Sequence, residues 1–192
     1  MIKANNDDRQ LVIEILAKSF EDNKTVNYIV KRGGNMPKRI RALMDYSFRI
    51  CSLFGEVWLS DDKQACALVL YPHLKKTTFR SICLDLKLIF SAIGLAGIFK
   101  TMRREDFIKA KRPNVEMLYL WFIGVNPTHQ HSGIGSGLLR EVIADAECKC
   151  LPAFLETSTL QNLSWYQHFG FQVYAELTLT YTMYFLKHEL TK

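Results

Sequence analysis

The chain has 192 residues, a length that suits one domain with a sizeable core. Hydrophobic residues make up 48% of it and aromatic residues 12%, which excludes a disordered protein. The polar start, MIKANNDDRQ, has no apolar stretch that would direct secretion, and the longest uncharged run, 88–99, is too short to span a bilayer. We therefore expect a single domain over residues 1–192, in the cytoplasm and without a membrane partner.

The formal net charge is +6. Basic residues cluster at 100–104 and 109–112, but neither group carries the interleaved aromatic residues of a single-strand binder, so nucleic acid is not expected as a partner. A solvated helical surface is the simpler explanation of these basic residues. A third explanation is a positive field that attracts a polyanionic cofactor. The five cysteines include no CxxC pair with a nearby His, which predicts free thiols and no metal site.

Two helices and two strands are predicted in the first part of the chain. They are the amphipathic helices 8–20 and 37–54, the second opened by Pro37, and the strands 57–60 and 65–71. Residues 78–110 then have a helical composition, interrupted by Gly94 and Gly97. This segment is interpreted as a helical insertion.

The second part of the chain alternates strands and helices. Met117–Val125 is apolar at nearly every position, which is typical of a central strand covered by helices on both sides. The pattern after it predicts a helix from Gly135 to about Cys150, a strand at 153–157, a helix at 161–168 and a half-buried antiparallel strand at 177–185. This order of elements indicates one α/β domain with a mixed sheet.

Between the central strand and its helix lies a glycine-rich loop, VNPTHQHSGIGSGLL. Glycines at 133, 135 and 137 let a ligand approach the backbone closely, and the N–H groups of the first helical turn suit a phosphate. The loop has neither the GK[ST] of a P-loop nor a GxGxxG fingerprint. Glycines that serve only helix packing are the alternative reading of the loop alone.

Two motifs of this region occur together in one known family. Gln130–Gly135 (QHSGIG) resembles the Q/R-x-x-G-x-G/A signature of the GCN5-related N-acetyltransferases (GNAT), and Asn162–Phe171 (NLSWYQHFGF) resembles their N-x-x-x-[FY]-x-x-x-GF segment. The likeness covers Met117–Val173. Within the family, Pro152–Phe171 most resembles puromycin N-acetyltransferase and its relatives.

The resemblance implies a mixed, mostly antiparallel sheet flanked by helices, with a V-shaped splay between the strands at 117–125 and 153–157. Acetyl-CoA would lie in that splay as the cosubstrate. Its contacts would be the backbones of Ile123 and Val125, the side chain of Gln130, the N–H groups of His131, Ser132, Gly133, Ile134, Gly135 and Ser136, and the side chain of Asn162. For Asn162 a helix cap is the alternative.

The same resemblance assigns Tyr166 as the general acid beside the sulfur, the alternative being a core aromatic. The base is less defined, because the central strand has a carboxylate only at its start, Glu116. Glu156, on the next strand, is the candidate, since a carboxylate in an apolar strand would have a raised pKa. A structural hydrogen-bonding role is equally compatible, and a weakly basic amine would need no base.

The expected activity is direct transfer of an acetyl group to the amine of a small molecule in a ternary complex, by a monomer or a homodimer. Five aromatic residues were candidates for an acceptor pocket: Tyr28, Trp58, Tyr71, Phe79 and Trp121. A protein or peptide amine as acceptor is one alternative. A non-catalytic acyl-CoA-binding module is another, which the missing central carboxylate keeps open.

Overall fold

The computed structural model describes residues 1–30 and 33–190, which form one seven-stranded sheet with helices on both faces. The strands are β1 (Ile2–Lys3), β2 (Gly55–Leu59), β3 (Ala65–Leu70), β4 (Leu118–Val125), β5 (Ala153–Thr157), β6 (Gln172–Thr178) and β7 (Thr182–His188). The helices are α1 (Arg9–Ser19), α2 (Lys24–Ile29), α3 (Met36–Phe54), α4 (Phe79–Leu88), α5 (Ile98–Lys111), α6 (Ile134–Cys148) and α7 (Leu160–His168). The strand order is β1-β2-β3-β4-β5-β7-β6, and only β4 and β5 run parallel. The predicted mixed, mostly antiparallel sheet is confirmed.

Helices cover both faces of the central strand. Leu118 and Leu120 of β4 pack with the apolar side of α6, whereas Tyr119 and Phe122 pack with α1 and α3 on the opposite face. A strand with an apolar layer on each side has no polar face to present. These two layers explain why the sequence of β4 is apolar at nearly every position, as predicted.

A β-bulge interrupts β4 at Trp121. Leu68 of β3 pairs with Phe122 and the next residue, Val69, pairs with Leu120, so that Trp121 has no partner. Trp121 and Phe122 consequently both pack on the α1–α3 side. A bulge bends its strand and increases the local twist. Because the residues around the bulge are all apolar, their sequence does not show which of them face α1 and α3 and which face α6. The bulge was therefore not predicted.

The two central strands separate close to the bulge. β4 and β5 pair only at their first residues, Leu118 with Ala153 and Tyr119 with Phe154. Beyond those pairs, residues 120–125 and 155–157 have no ladder between them. The V-shaped splay expected between these strands is therefore present.

The C-terminal prediction was partly wrong. Instead of one strand over 177–185, β6 and β7 form an antiparallel hairpin, with its turn at residues 179–181. The turn contains no glycine or proline, and the alternation of apolar and polar residues continues through it. Short strands on either side of such a turn cannot be separated by alternation alone.

The segment predicted to be helical, 78–110, forms two helices that are separated by a break. α4 continues through a π-helical turn at Ile89–Ile93 and stops at Gly94, whose φ of 73° is in the left-handed region that favours glycine. A short 3-10 turn at Leu95–Gly97 leads into α5. The insertion leans on α3 and on the outer strand β6.

Candidate active site

Six consecutive backbone N–H groups, from His131 to Ser136, lead into α6 and have no acceptor among the residues that the structure describes. The first bond of the helix comes only at Gly137, which donates to the carbonyl of Gly133. Left-handed backbone at His131 (φ 62°) and Gly133 (φ 86°) turns these groups toward solvent. Consecutive N–H groups in such a turn form a concave site for an anion, and the helix dipole adds to it.

The glycines of the loop serve two purposes. A Cβ at Gly135 would lie 2.9 Å from a methyl group of Val125, so this glycine lets α6 approach the end of β4. Nothing lies within 4 Å of a Cβ at Gly133 or Gly137. Packing therefore explains Gly135, whereas the positive φ explains Gly133. Gln130, His131 and the other residues of 127–133 are exposed, which leaves the concave site open to a ligand.

The edge of β4 that faces the splay carries the backbone groups of Ile123 and Val125. Asn126 donates its N–H to Gln64 on the β3 side, at 2.8 Å, and backbone direction alternates along a strand. The backbone N–H and C=O groups of Ile123 and Val125 therefore point away from β3, into the gap between β4 and β5. The hydroxyl of Ser19 lies 2.7 Å from the carbonyl oxygen of Val125 and occupies part of that edge.

Helix α7 brings Tyr166 to the α6 side of the splay. Tyr166 is 6% exposed and packs edge-on against Phe171 and beside Trp165. Its hydroxyl makes no hydrogen bond within residues 1–30 and 33–190, and burial raises its pKa well above the ordinary value. The indole N–H of Trp165 donates to the hydroxyl of Ser136 at 3.1 Å, which ties α7 to the first turn of α6. The tyrosine thus keeps its proton and is free to donate it.

Asn162 is exposed one turn before Tyr166. The residue at the N-cap of α7 is Thr159, so Asn162 does not cap this helix. The alternative reading of Asn162 is thereby removed, and its side-chain amide is exposed to solvent.

Glu156 lies on the opposite face of the sheet, in a buried cluster with Arg112 and Tyr119. Arg112 donates from Nε and Nη2 to the two carboxylate oxygens at 2.8 and 3.1 Å, and the hydroxyl of Tyr119 also donates to the carboxylate. The guanidinium lies 3.8 Å from the centre of the Tyr119 ring. The surroundings of Glu156 are therefore charged and hydrogen-bonded, unlike the apolar surroundings expected from its strand.

The partners of Glu156 were missed by sequence reasoning. Arg112 lies 44 residues away along the chain, directly after the last residue of α5, in a basic run for which the sequence predicts a solvated surface. Burial raises the pKa of Tyr119 well above its ordinary value, although the positive charge of Arg112 acts in the opposite direction. No periodicity or spacing pointed to this contact.

Aromatic side chains line the same face of the splay. Phe20 packs edge-on against Phe122 at 5.1 Å, and Tyr46 against Trp121 at 6.2 Å between ring centres. From α2, the hydroxyl of Thr25 lies 2.9 Å from that of Ser158, directly after β5. The Glu156 cluster and these rings form one continuous wall on the α1–α3 side.

The five aromatic residues expected to share a pocket do not meet. Trp58 and Tyr71 lie near Lys149 on the α6 side of the sheet, whereas Trp121 faces the other side. Phe79 is 84% exposed, and Tyr28 packs on Tyr181. Of this set only Trp121 belongs to the wall of the splay, because the bulge re-aims it.

Comparison with known proteins places this arrangement in a described fold. Residues 88–173 match the model of the acetyltransferase (GNAT) domain. That match spans slightly less than half of the chain and includes the central strands, the glycine loop and α7. The residues before 88 lie outside it.

Three solved structures match over nearly their full lengths. A protein from Corynebacterium glutamicum described as histone acetyltransferase HPA2 and related acetyltransferase has a TM-score of 0.71 at 14% identity, over 100% of this chain and 96% of that one. Arylalkylamine N-acetyltransferase 2 from Aedes aegypti has a TM-score of 0.66 at 16% identity, over 99% and 98%. The C-terminal condensation domain of Ebony, in complex with beta-alanyl-dopamine, has a TM-score of 0.70 at 12% identity, over 98% and 97%. At these identities the likeness is one of fold.

Proposed function

We propose that this protein, which has the GNAT fold and matches the GNAT domain over residues 88–173, is an N-acetyltransferase that uses acetyl-CoA and acts on the amine of a small molecule. One observation carries the proposal: six free N–H groups at His131–Ser136 lie at the mouth of an open splay. A pyrophosphate matches such a row of donors, and an extended pantetheine arm matches the free edge of β4.

The chain's own residues hold the cosubstrate in three places. The N–H groups of His131–Ser136 bind the pyrophosphate, with the side-chain amide of Gln130 beside them. The backbones of Ile123 and Val125 pair with the pantetheine as an added strand would, and Asn162 contacts it from α7. When bound, acetyl-CoA supplies a thioester, whose carbonyl carbon forms the new C–N bond as its C–S bond breaks.

Tyr166 is the general acid of this proposal. Its raised pKa keeps the hydroxyl protonated across the physiological range. It donates that proton to the leaving sulfur, so that a neutral thiol is released. Because the hydroxyl has no other partner in the part of the chain that the structure describes, no existing hydrogen bond has to be broken.

Glu156 is the group to which we assign the proton that the amine loses. An alkylamine with a pKa of about 10.4 must first become neutral, which costs roughly 4.6 kcal/mol at pH 7. Arg112 donates two hydrogen bonds to the Glu156 carboxylate and fixes its direction. In this proposal the carboxylate accepts a hydrogen bond from the attacking amine, and the proton that the amine loses passes on to water.

Two features favour a small amine as acceptor. The aromatic wall made by Phe20, Tyr46, Trp121 and Phe122 suits an apolar substituent. Two proteins of the same fold bear names that point to such molecules, an arylalkylamine N-acetyltransferase and a domain solved with beta-alanyl-dopamine. The likeness of Pro152–Phe171 to puromycin N-acetyltransferases agrees with them.

A thiol-release assay tests the proposal. Purified protein is incubated with acetyl-CoA and a panel of alkyl, arylalkyl and aromatic amines and of peptides, and the free thiol is followed over time. We expect thiol release that depends on a small amine, with the acetylated amine identified by mass. Thiol release with peptides alone would show that the acceptor is a protein or peptide amine. Binding of CoA without thiol release over the whole panel would favour a non-catalytic acyl-CoA-binding module.

A further inference from the structure

The insertion between β3 and β4 exposes an unusual number of large apolar side chains. Of the fourteen that are exposed in the described ranges, eight lie between residues 79 and 107. Four of the eight are aromatic, and three of these are the extreme cases: Phe79, Phe90 and Phe99 are 84%, 73% and 85% exposed. Scattered apolar residues on a surface are ordinary, but a contiguous group indicates a contact surface.

These side chains follow the helical repeat. On α4 and its π-helical turn, Phe79, Ile82, Leu86 and Phe90 recur every three or four residues, and on α5 Phe99 and Met102 are three apart. We call these six residues the insertion face. Each helix therefore turns one apolar stripe outward.

The opposite side of the insertion is already bound to the domain. Asp85 accepts a hydrogen bond from Tyr46 at 2.6 Å, Lys87 pairs with Asp45 at 3.2 Å, and Arg104 donates to Tyr181 at 3.1 Å. The insertion is docked on α3 and near β7 through these contacts. The insertion face is thus the outer surface of a packed element.

The positive charge of the protein is concentrated in the same segment. Residues 75–112 contain ten Lys and Arg against three Asp and Glu, a net charge of +7, whereas the whole chain carries +6. The rest of the molecule is therefore close to neutral. Eight of the ten cations are exposed. Lys87 and Lys100 contact Asp45 and Tyr28. The other six lie on the surface of this segment: Lys75, Lys76, Arg80, Arg103, Lys109 and Lys111.

We infer that the insertion face binds the surface of an anionic lipid bilayer. Aromatic and aliphatic side chains flanked by Lys and Arg are the combination that places a helix in the headgroup region, where the apolar stripe is buried and the cations meet anionic lipids. A cleft of about 390 Å³ beside Phe90, lined in part by Lys38 and Ser91, gives room for a phosphate headgroup. This inference departs from the expectation, drawn from the sequence, of no membrane partner.

The contact is peripheral. In the described part of the chain no single helix is long and apolar enough to cross a bilayer. The pair Phe79–Ile93 and Ile98–Lys111 is long and apolar enough only when both helices are counted together, and the two are bent by 117° relative to each other. A second copy of the chain would bring two segments of charge +7 together, which opposes self-association. Nucleic acid would leave Ile82, Leu86 and Met102 without a suitable partner.

Vesicle binding tests the inference, and it needs neither acetyl-CoA nor an amine, so its failure is separate from that of the proposed function. The full chain is sedimented with vesicles of phosphatidylcholine, with and without phosphatidylglycerol. We expect binding to the anionic vesicles only. It should weaken steeply between about 0.01 and 1 M salt, over which the Debye length falls from about 30 to about 3 Å.

Matched variants locate the contact. Phe99→Ser should lower the vesicle partition coefficient about tenfold, whereas Val115→Ser, at another exposed apolar residue, should leave it unchanged. Lys109→Glu with Lys111→Glu should abolish binding, and Lys18→Glu with Lys24→Glu, the same change of net charge at exposed sites outside the insertion, should not.

Three outcomes would overturn the inference. The first is no binding of the unaltered chain to anionic vesicles at low salt. The second is a dimer in solution that Phe99→Ser converts to a monomer, which would make the face a self-interface. The third is vesicle binding equally insensitive to all four variants. Both Phe99 and Val115 are largely exposed, so neither replacement removes core packing.

Discussion

Tyr166 and Glu156 lie on opposite faces of the sheet, one on each side of the gap between β4 and β5. Tyr166 belongs to the α6 layer, where the cosubstrate is proposed to bind. Glu156 belongs to the α1–α3 layer, where the acceptor is proposed to enter. Two reactants held on opposite sides of an opening can meet inside it without a covalent enzyme intermediate.

The role of Tyr166 predicts a loss of turnover without a loss of binding. Tyr166→Phe should lower kcat about 100-fold, because protonation of the leaving sulfur is removed, and leave the Kd for CoA unchanged. Initial rates and calorimetry measure the two quantities. Tyr71→Phe, which removes the hydroxyl of another buried tyrosine, is the control.

The pH profile gives a second readout for the same residue. Since burial raises the pKa of Tyr166, the unaltered enzyme should show no loss of rate from deprotonation of this group up to pH 10, its ordinary pKa. An unchanged kcat in Tyr166→Phe would contradict the assigned acid.

The role of Glu156 is tested by the basicity of the acceptor. Glu156→Gln should slow acetylation of an alkylamine about 100-fold and affect a weakly basic aromatic amine far less, because that amine is already neutral. Steady-state rates with the two amines measure the contrast. Glu156→Gln also leaves the buried guanidinium of Arg112 without its carboxylate, which should lower the stability of the fold. The double variant Glu156→Gln/Arg112→Gln removes that charge and should recover stability without recovering the rate. Equal losses with both amines would assign Glu156 a structural role.

At the scale of elements, the entrance of α6 depends on one backbone conformation. Gly133→Ala forces a side chain into left-handed backbone at a cost of about 1–2 kcal/mol and shifts the neighbouring N–H groups. We expect the KM for acetyl-CoA to rise about tenfold. Gly33→Ala is the matched control, with a φ of 80° and equally open surroundings. If the two variants have the same KM, the loop does not hold the cofactor.

A cluster around Glu56 joins β2 to the end of α6. Burial raises the pKa of Glu56, but hydrogen bonds from Lys149, Lys3 and Tyr71 outweigh it and bring the pKa from 4.5 to about 2. A depressed carboxyl pKa stabilises the fold above the unfolded value and loses that contribution as the pH falls through the folded value.

Glu56→Gln should therefore lower the free energy of unfolding by roughly 1 to 2 kcal/mol at pH 7, after allowance for solvent screening. The difference from the unaltered chain should shrink between pH 4.5 and 2. Denaturant unfolding at several pH values measures it, with the exposed Glu116→Gln as control. A difference that does not change with pH would show that packing, not charge, is involved.

Elements with a strong local signal were predictable. Strand β5 has the predicted bounds, and α3, α6 and α7 begin within one residue of prediction, because apolar repeats, Pro37 and Gly170 define them locally. The bulge at Trp121 was not predictable, since a run of apolar residues does not reveal on which face of the sheet each side chain lies. The contact of Arg112 with Glu156 joins distant parts of the chain and has no local signature.

At the scale of the whole molecule, the fold followed from two motifs in the second half of the chain. The first half was predicted only as an order of elements, and the short β1 and α2 were not foreseen. Of these two elements, α2 reaches the end of β5, where Thr25 contacts Ser158. Sequence therefore predicted the elements on the α6 side of the splay better than those on the α1–α3 side.

The most direct test of the account is a crystal structure of the protein with CoA bound. We expect pyrophosphate oxygens at about 2.7–3.2 Å from the N–H groups of His131–Ser136 and the thiol between β4 and β5, beside Tyr166. CoA bound elsewhere, or a splay closed by pairing of Ile123 and Val125 with β5, would contradict it.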